Sequence, residues 1–150
     1  MVEELTQKEA EDLIGMKKKF FNRDKLVLNE PFDMMIELIS ENKEEKFILD
    51  LRQGSINLTK IRYQKRYEVT IPLVRYDSRG VHQNPPEAGG EIIKGPHLHI
   101  YREGFSDKVA TSAEGFDNPN DVMASLSKFC ELFNIEKIKF EQQKSPRSFE

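Results

Sequence analysis

Two histidines one residue apart form the part of the sequence best suited to chemistry. His97 and His99 lie in the segment GPHLHIYREGF, residues 95–105, and Tyr101 and Glu103 follow at the same spacing. Alternate residues of a β-strand share a face, so we expect these four side chains to point one way. Imidazole, phenol and carboxylate groups on one face could transfer protons or bind a metal ion.

A metal site is the first interpretation, because an H-x-H pair on a strand is a good bidentate donor. His97, His99 and Glu103 match the HxH(x)3E core of the cupin signature. The spacing from Gly90 is off by one, and no second motif supplies a distal histidine; His82 lies across a loop. The sequence therefore favours no metal and predicts no cofactor.

Metal-independent phosphodiester cleavage, as in small bacterial ribonuclease toxins, is the second interpretation. Such chemistry needs a base, an acid and cations that hold the phosphate. His97 or His99 would be the base, and Tyr101 or Glu103 its helper. The cations would be the arginines at positions 62, 66, 75 and 102. Residue types alone do not show the geometry, so whether the chain is an enzyme stays open.

Binding without catalysis is the interpretation that the sequence favours. Aromatic and basic residues interleave in residues 60–69 and 99–105, which suits base stacking with phosphate contact or a protein interface. We predict a binding module whose partner, a nucleic acid or a host protein, meets the strand 97–103 and the loop 81–95. Mere packing of a half-exposed strand is the remaining alternative. The predicted binding residues are Arg62, Arg66, Arg75, His99, Tyr101 and Arg102.

The composition is that of one soluble globular domain. The chain has 150 residues, of which 33% are charged, and no apolar run approaches the roughly 18 residues needed to cross a bilayer. The N-terminal segment MVEELTQKEAEDL is acidic where a signal peptide would be basic and then apolar. Cys130 is the single cysteine, so no internal disulfide can form. We therefore expect a cytoplasmic protein without membrane contact.

The charge is unevenly distributed along the chain. The net charge of −3 argues against a general nucleic-acid coat. Residues 51–82 nevertheless carry seven basic side chains against two acidic ones, whereas residues 1–16 carry five acidic ones against a single lysine. A basic strand face could meet phosphate, but we expect it to pair with the acidic N-terminal helix of the same chain.

Hydrophobic periodicity predicts an α+β fold with one domain spanning residues 1–150. A capping-box pattern, Thr6 with Glu9, and apolar residues at helical spacing predict a helix over residues 6–22, with three lysines in its last turns. Alternating patterns then predict an antiparallel meander of about five or six strands. A second helix opens at Asn118 and Pro119, with Cys130 on its buried face. Residues 1–5 and 142–150 are expected to fray.

Two features interrupt this pattern. Pro72 cannot donate a ladder hydrogen bond, so its strand is expected to be an edge or to be bulged there, and such an edge leaves room for a homodimer. Residues 81–95 are rich in proline and glycine and are expected to form a long functional loop. Which sheet face the helices cover decides whether His97 and His99 are exposed, and the sequence leaves this open.

The segments ILDLRQGSINLTKIRYQKRY and GPHLHIYREGFSDKVA resemble a family of small uncharacterised bacterial proteins. The shared pattern is G-x-His-x-His-Ile-Tyr-Arg-Glu-Gly, and the resemblance covers about residues 45–112. An aromatic residue is usual in that family where this chain has Val109. The resemblance implies a bacterial source and a phage or mobile-element setting, and it implies no activity. Its densest part is His97, His99, Tyr101, Arg102, Glu103, Gly104, Asp107 and Lys108.

Overall fold

The computed structural model describes residues 4–68 and 70–144, which form two helices, eleven strands and a short 3-10 turn at Pro86–Ala88. The helices are α1 (Gln7–Gly15) and α2 (Val122–Leu132). The strands are β1 (Lys18–Phe20), β2 (Lys25–Asn29), β3 (Asp33–Ser40), β4 (Lys46–Gln53), β5 (Ile61–Tyr67), β6 (Ile71–Asp77), β7 (Val81–Gln83), β8 (Ile92–Lys94), β9 (His97–Ile100), β10 (Ala110–Ser112) and β11 (Lys139–Gln143).

Seven of these strands form one antiparallel sheet in the order β1-β3-β4-β5-β6-β9-β10. Strands β11 and β2 pair in parallel, and β7 and β8 form a separate hairpin. The predicted α+β class and the meander from β3 to β6 are confirmed. The sheet is larger than the five or six strands expected, because short strands extend both edges.

The apolar face of the sheet packs against the helices. Leu51, Tyr63, Tyr76 and Leu98 are successive cross-strand partners on β4, β5, β6 and β9, and all four are buried. The hydroxyl group of Tyr63 lies 2.8 Å from the Oγ atom of Ser125 on α2. Helix α2 therefore covers the core face, and the opposite face of the sheet is free of it.

The opposite face carries a row of polar side chains that crosses five strands. Asp33, Arg52, Arg62, Asp77 and His97 are successive register partners on β3, β4, β5, β6 and β9. Directly opposed residues of neighbouring strands point to the same face. Apart from the irregularity between Lys65 and Arg66, the period of two in these strands thus separates an apolar core face from a charged face.

Helix α1 is much shorter than the predicted helix over residues 6–22. The predicted capping box of Thr6 and Glu9 is present, but Met16 is extended at the C-cap and the chain turns into β1. The amine of Lys18 is buried and donates to the backbone oxygens of Ile14, Met16 and Phe133. Lysines 17–19 therefore do not lie in the last turns of the helix, because α1 ends at Gly15, before all three of them.

The second part of the meander also differs from the prediction. The chain on either side of Glu68 forms two strands, because β5 ends at Tyr67 and Glu68 has a φ of 56° in the hairpin turn. Pro72 lies on β6, between β5 and β9, and the register shifts between Lys65 and Arg66 opposite it. The predicted bulge at Pro72 is confirmed, and the predicted edge is not.

The remaining elements were predicted in outline. Residues 81–95 contain the β7–β8 hairpin and the 3-10 turn, so this segment is more ordered than a long loop. Helix α2 begins after an Asp121 N-cap, and Cys130 is buried on it as predicted. Gln142 and Gln143, expected in a frayed tail, pair with Leu28 and Asn29; residues 1–3 and 145–150 lie outside the described part. Among the described residues, no helix has the length and apolar character that a bilayer crossing requires.

Candidate functional site

Three buried polar side chains meet at the centre of the charged face. The Oδ2 atom of Asp77 lies 3.5 Å from Nε2 of His97 and 3.6 Å from Nε2 of His99. All three side chains are less than a tenth exposed. Their placement follows from the register, because His97 lies opposite Asp77 and His99 opposite Arg75. The H-x-H spacing therefore brings both rings to one carboxylate.

Backbone carbonyls orient both imidazole rings. The Nδ1 atom of His97 lies 2.8 Å from the carbonyl oxygen of Gly95, and Nδ1 of His99 lies 2.8 Å from that of Asp107. A carbonyl oxygen only accepts, so each Nδ1 carries the proton and donates. In the neutral rings this leaves the lone pair on Nε2, which faces Asp77.

Arg75 joins the three polar groups into one cluster. Its Nε donates to Oδ2 of Asp77 at 3.0 Å, and its Nη2 donates to Nε2 of His99 at 2.9 Å. Its Nη1 lies 3.4 Å from a carboxylate oxygen of Asp107. The planar fork of a guanidinium group suits such a three-way contact, so Arg75 holds the cluster rigid.

Asp77 is ionised although it is buried. Burial acts to raise the pKa of its carboxyl group, but the hydrogen bond from Arg62 and the charges of Arg62, Arg75 and His97 together lower that pKa below its usual value. The Arg62 bond is short, with Nε 2.6 Å from Oδ1 of Asp77. The Nη groups of Arg62 make no hydrogen bond with the described residues, and the side chain is 46% exposed. Arg62 can therefore hold Asp77 and still bind a ligand.

His99 is neutral at physiological pH. Burial is the main cause that lowers its pKa from 6.5 to about 4, and the positive charge of Arg75 adds to the effect. A neutral ring can accept the hydrogen bond from Arg75, whereas a protonated ring would oppose it. His99 therefore acts as a fixed acceptor under the site.

His82, on the β7–β8 hairpin, completes a group of three imidazole rings. Its ring centroid lies 4.6 Å from that of His99 and 6.1 Å from that of His97. The Nε2 atom of His82 lies 2.8 Å from the backbone oxygen of Lys108 and must donate to it. Asn84 anchors the hairpin, because its side-chain amide bonds both the nitrogen and the oxygen of Ala110 on β10. The hairpin thus carries His82 over the charged face.

A basic cleft of about 630 Å³ opens beside this cluster. His82, His97 and Asp77 line it, and Asp33 is the other carboxylate in its wall. Most of the basic side chains predicted from residues 51–82 converge here. Three of them, Arg52, Arg62 and Arg75, pair with carboxylates of the sheet and not, as the sequence favoured, with the acidic residues of α1. Five cations line the cleft: Arg52, Lys60, Arg62, Arg75 and Arg79.

Asp77, His97 and His99 are also close enough to hold a metal ion, since one donor atom from each lies within 4.8 Å of the others. The surrounding charges do not suit a cation. Arg75 already donates to Nε2 of His99, and two guanidinium groups, from Arg62 and Arg75, bind the carboxylate of Asp77. A metal would have to displace one arginine and lie beside the other, so we assign no metal ligands here.

Tyr101 and Glu103 lie away from the cluster, although the alternation predicted that they share its face. Strand β9 ends at Ile100, and the buried Tyr101 donates its hydroxyl proton to the backbone oxygen of Leu5 at 2.9 Å. Glu103 accepts from the backbone nitrogen of Gln7 at 2.8 Å. Tyr101 and Glu103 thus fix the segment before α1 and the start of α1, so both residues have a structural role.

The other residues predicted for the strand and for binding do not all lie in one place. Ile100 alternates with His99 and so would lie on the side of the buried Leu98, but it is 41% exposed because it ends the strand. Arg66 forms a two-pronged ion pair with Asp50, with distances of 2.7 and 2.8 Å. Arg102 is exposed and stacks over the Phe105 ring. Among the predicted binding residues, Arg62 and Arg75 lie in the cleft and His99 lies buried beneath its edge.

The sequence pattern did not place Asp77 in the site, and it included His82 only as part of the loop 81–95 that a partner would meet. Asp77 could have been found from the alternation on its strand, because Arg75 and Asp77 share a face two residues apart. His82 carried no comparable signal, since only the folded hairpin brings it to the strand that holds His97.

The fold and the site define an α+β protein with a basic cleft on the polar face of an antiparallel sheet, floored by a buried histidine–aspartate cluster. The chain belongs to the family of unknown function DUF6978, whose model matches residues 5–135. This agrees with the predicted membership in an uncharacterised family. No curated protein and no solved structure matches the chain significantly.

Proposed function

We propose that this protein binds single-stranded nucleic acid, with the phosphate backbone in the basic cleft. The observation that carries the proposal is the convergence of five cations on one concave surface that holds two carboxylates. Cations dominate affinity for the phosphate backbone, and a concave cleft suits a flexible single strand better than the convex surface of a duplex. The net charge of −3 does not oppose this, because the positive charge is local.

Two cleft cations are well placed to contact phosphates. Arg62 keeps its Nη groups available, and the exposed Lys60 has no ion-pair partner among the described residues. Arg79 donates one Nη to the hydroxyl of Thr59 and is otherwise exposed. Arg52 contacts Asp33 at 3.6 Å at the far wall. The phosphates would therefore follow the row of side chains across β4, β5 and β6.

The cleft also contains a buried acceptor without a partner. Gln53 donates from Nε2 to the backbone oxygen of Leu58, and its Oε1 has no hydrogen bond with the described residues. This oxygen is closed to solvent, so a ligand would reach it only after the side chain moved. The proposed contact surface keeps the β7–β8 hairpin and His97 of β9 from the sequence prediction and adds the other residues of the cleft.

A binding measurement at graded salt concentration tests the proposal. Fluorescence anisotropy with a labelled 12-nucleotide RNA and its DNA counterpart, both in EDTA, should show affinity that falls as salt rises. Removing one phosphate-binding cation in Lys60→Ala or Arg62→Ala should reduce the slope of log K against log salt by about 0.7. Lys137→Ala, an exposed change outside the cleft, is the matched control.

Two results would overturn the proposal. One is the absence of binding to either strand at low salt, which would direct the search to an acidic host protein. The other is binding that Lys60→Ala, Arg62→Ala and Lys137→Ala weaken equally. A bacterial source, a mobile-element setting, a cytoplasmic location and a homodimer stay predictions from the sequence.

A further inference from the structure

Two of the three imidazole rings line the cleft itself and are held so that one nitrogen of each can exchange a proton. His97 donates from Nδ1 to the backbone oxygen of Gly95, which leaves Nε2 for exchange. His82 donates from Nε2 to the backbone oxygen of Lys108, which leaves Nδ1. The ring centroids lie 6.1 Å apart. This spacing is short enough for both rings to act on one phosphodiester group.

The two rings differ in their surroundings. The carboxylate of Asp77 lies 3.5 Å from Nε2 of His97, whereas no carboxylate contacts the ring of His82 among the described residues. His82 is half-buried on the hairpin and meets the neutral His99 edge to face. A protonated ring is suited to donate a proton to a leaving group, and a neutral ring is suited to accept one. Because the carboxylate neighbour belongs to His97 alone, the geometry assigns the acid role to His97 and the base role to His82.

We propose that the cleft cleaves RNA by internal transesterification, with His82 as general base and His97 as general acid. This inference rests on the proposed binding of nucleic acid. The substrate is RNA, because the attacking group is its 2′-hydroxyl. Without this group a metal-bound water would be needed as the nucleophile, and the cluster holds arginines in the place of a metal. DNA has no such nucleophile and should bind without being cut.

The reaction balances without a co-reactant. Nδ1 of His82 takes the proton of the 2′-hydroxyl as the 2′-oxygen forms a bond to phosphorus. The bond between phosphorus and the 5′-oxygen then breaks, and its electron pair stays on that oxygen, which takes the proton from Nε2 of His97. The products are a 2′,3′-cyclic phosphate and a free 5′-hydroxyl. Arg62 and Lys60 would stabilise the negative charge on the non-bridging oxygens in the transition state.

A single-stranded RNA oligonucleotide in EDTA, with products identified by mass, provides the first test. We expect a cyclic phosphate end, and no cut at a position whose 2′-hydroxyl is replaced by hydrogen. His82→Ala and His97→Ala should each lower the rate roughly 100-fold or more while binding is retained. Lys137→Ala, purified identically, should keep the full rate. Cleavage that survives either histidine change, or that cuts the deoxy position, would overturn the assignment.

A modified leaving group separates the two roles and guards against misfolding. Sulfur in place of the bridging 5′-oxygen leaves without protonation, so this substrate should restore the rate of His97→Ala and His97→Asn but not that of His82→Ala. The opposite pattern would refute the assigned roles. Binding without cleavage by the unaltered protein would overturn this inference and leave the proposed function standing, whereas absence of binding would end both.

Discussion

Nη2 of Arg75 donates to Nε2 of His99 across 2.9 Å, so a buried imidazole is the acceptor for a guanidinium group. The same arginine also reaches Asp77 and Asp107, and the same histidine donates to the backbone oxygen of Asp107. The contact between Arg75 and His99 requires a neutral ring, because a protonated imidazole has no acceptor nitrogen. The cluster is therefore one electrostatic unit, and its protonation state affects the stability of the fold.

Acid should weaken the fold through His99. Its pKa is lowered from 6.5 to about 4, so between these values the unfolded chain binds a proton that the folded chain does not. The free energy of unfolding should therefore rise with pH from about 4 to 6.5, by up to about 3 kcal/mol. Urea unfolding at several pH values measures this. His99→Gln should flatten the rise, and an unchanged slope in that variant would contradict the assignment.

Asp77→Ala should destabilise the protein by about 2–3 kcal/mol, because it leaves Arg62 and Arg75 without their shared carboxylate. The partial exposure of Arg62 keeps the effect below that of a fully buried pair. Asp33→Ala is the matched control, since its contact with Arg52 is long and exposed and is worth about 0–1 kcal/mol. Chemical denaturation of the two variants should separate them clearly, and equal losses would show that the cluster is not a structural unit.

Lys18 and Lys65 form a second buried cationic pair, on the core side of the molecule. Burial lowers the pKa of Lys18 to about 8, and burial together with the charge of Lys18 lowers the pKa of Lys65 well below its usual value. The unfolded chain binds more protons in this range, so the free energy of unfolding should rise from about pH 8 to 9.5. The thiol and phenols of the unfolded chain act in the opposite direction, because burial raises the pKa of Cys130 to about 12 and also raises the pKa values of Tyr63 and Tyr76. The difference between the pH profiles of the unaltered protein and Lys18→Met therefore measures the lysine effect.

Substitution of these lysines should have opposite signs at pH 7. Lys18 donates to the oxygens of Ile14 and Phe133 at 2.8 and 3.1 Å, whereas Lys65 reaches the same oxygens at 3.4 and 3.3 Å. Lys65→Met should therefore stabilise the protein by about 1 kcal/mol, because Lys18 still satisfies both carbonyls. Lys18→Met should destabilise it. Thermal unfolding of both variants tests this prediction. A loss of stability in Lys65→Met would mean that the weak hydrogen bonds of Lys65 stabilise the protein more than the burial of its charge destabilises it.

Tyr101→Phe should reduce stability by about 1 kcal/mol and leave nucleic-acid binding unchanged. The hydroxyl donates to the backbone oxygen of Leu5 before α1, far from the cleft. Hydrogen exchange should accelerate in residues 7–15, the helix that this contact anchors. A loss of binding without a loss of stability would instead return Tyr101 to the interface that the sequence predicted.

The period-two alternation from residue 32 to 77 was sufficient to predict the α+β class and the meander, because register in a half-buried sheet follows the apolar pattern. The end of α1 was not predictable in this way. Lys18 and Phe133 are 115 residues apart, and their contact outweighs the helical pattern of residues 16–22. Local propensity is a weak signal against such a tertiary contact.

The sequence by itself determined the chemistry available to this protein: an H-x-H pair, a basic segment over residues 51–82 and alternating strands that place polar side chains on one face. Only the tertiary structure decided which of them meet. His82, Asp77 and His97 converge because strand pairing and a folded hairpin bring separate segments together, whereas Tyr101 and Glu103 leave the face where β9 ends. Distances between strands depend on non-local contacts, and a pattern of residue types does not contain them.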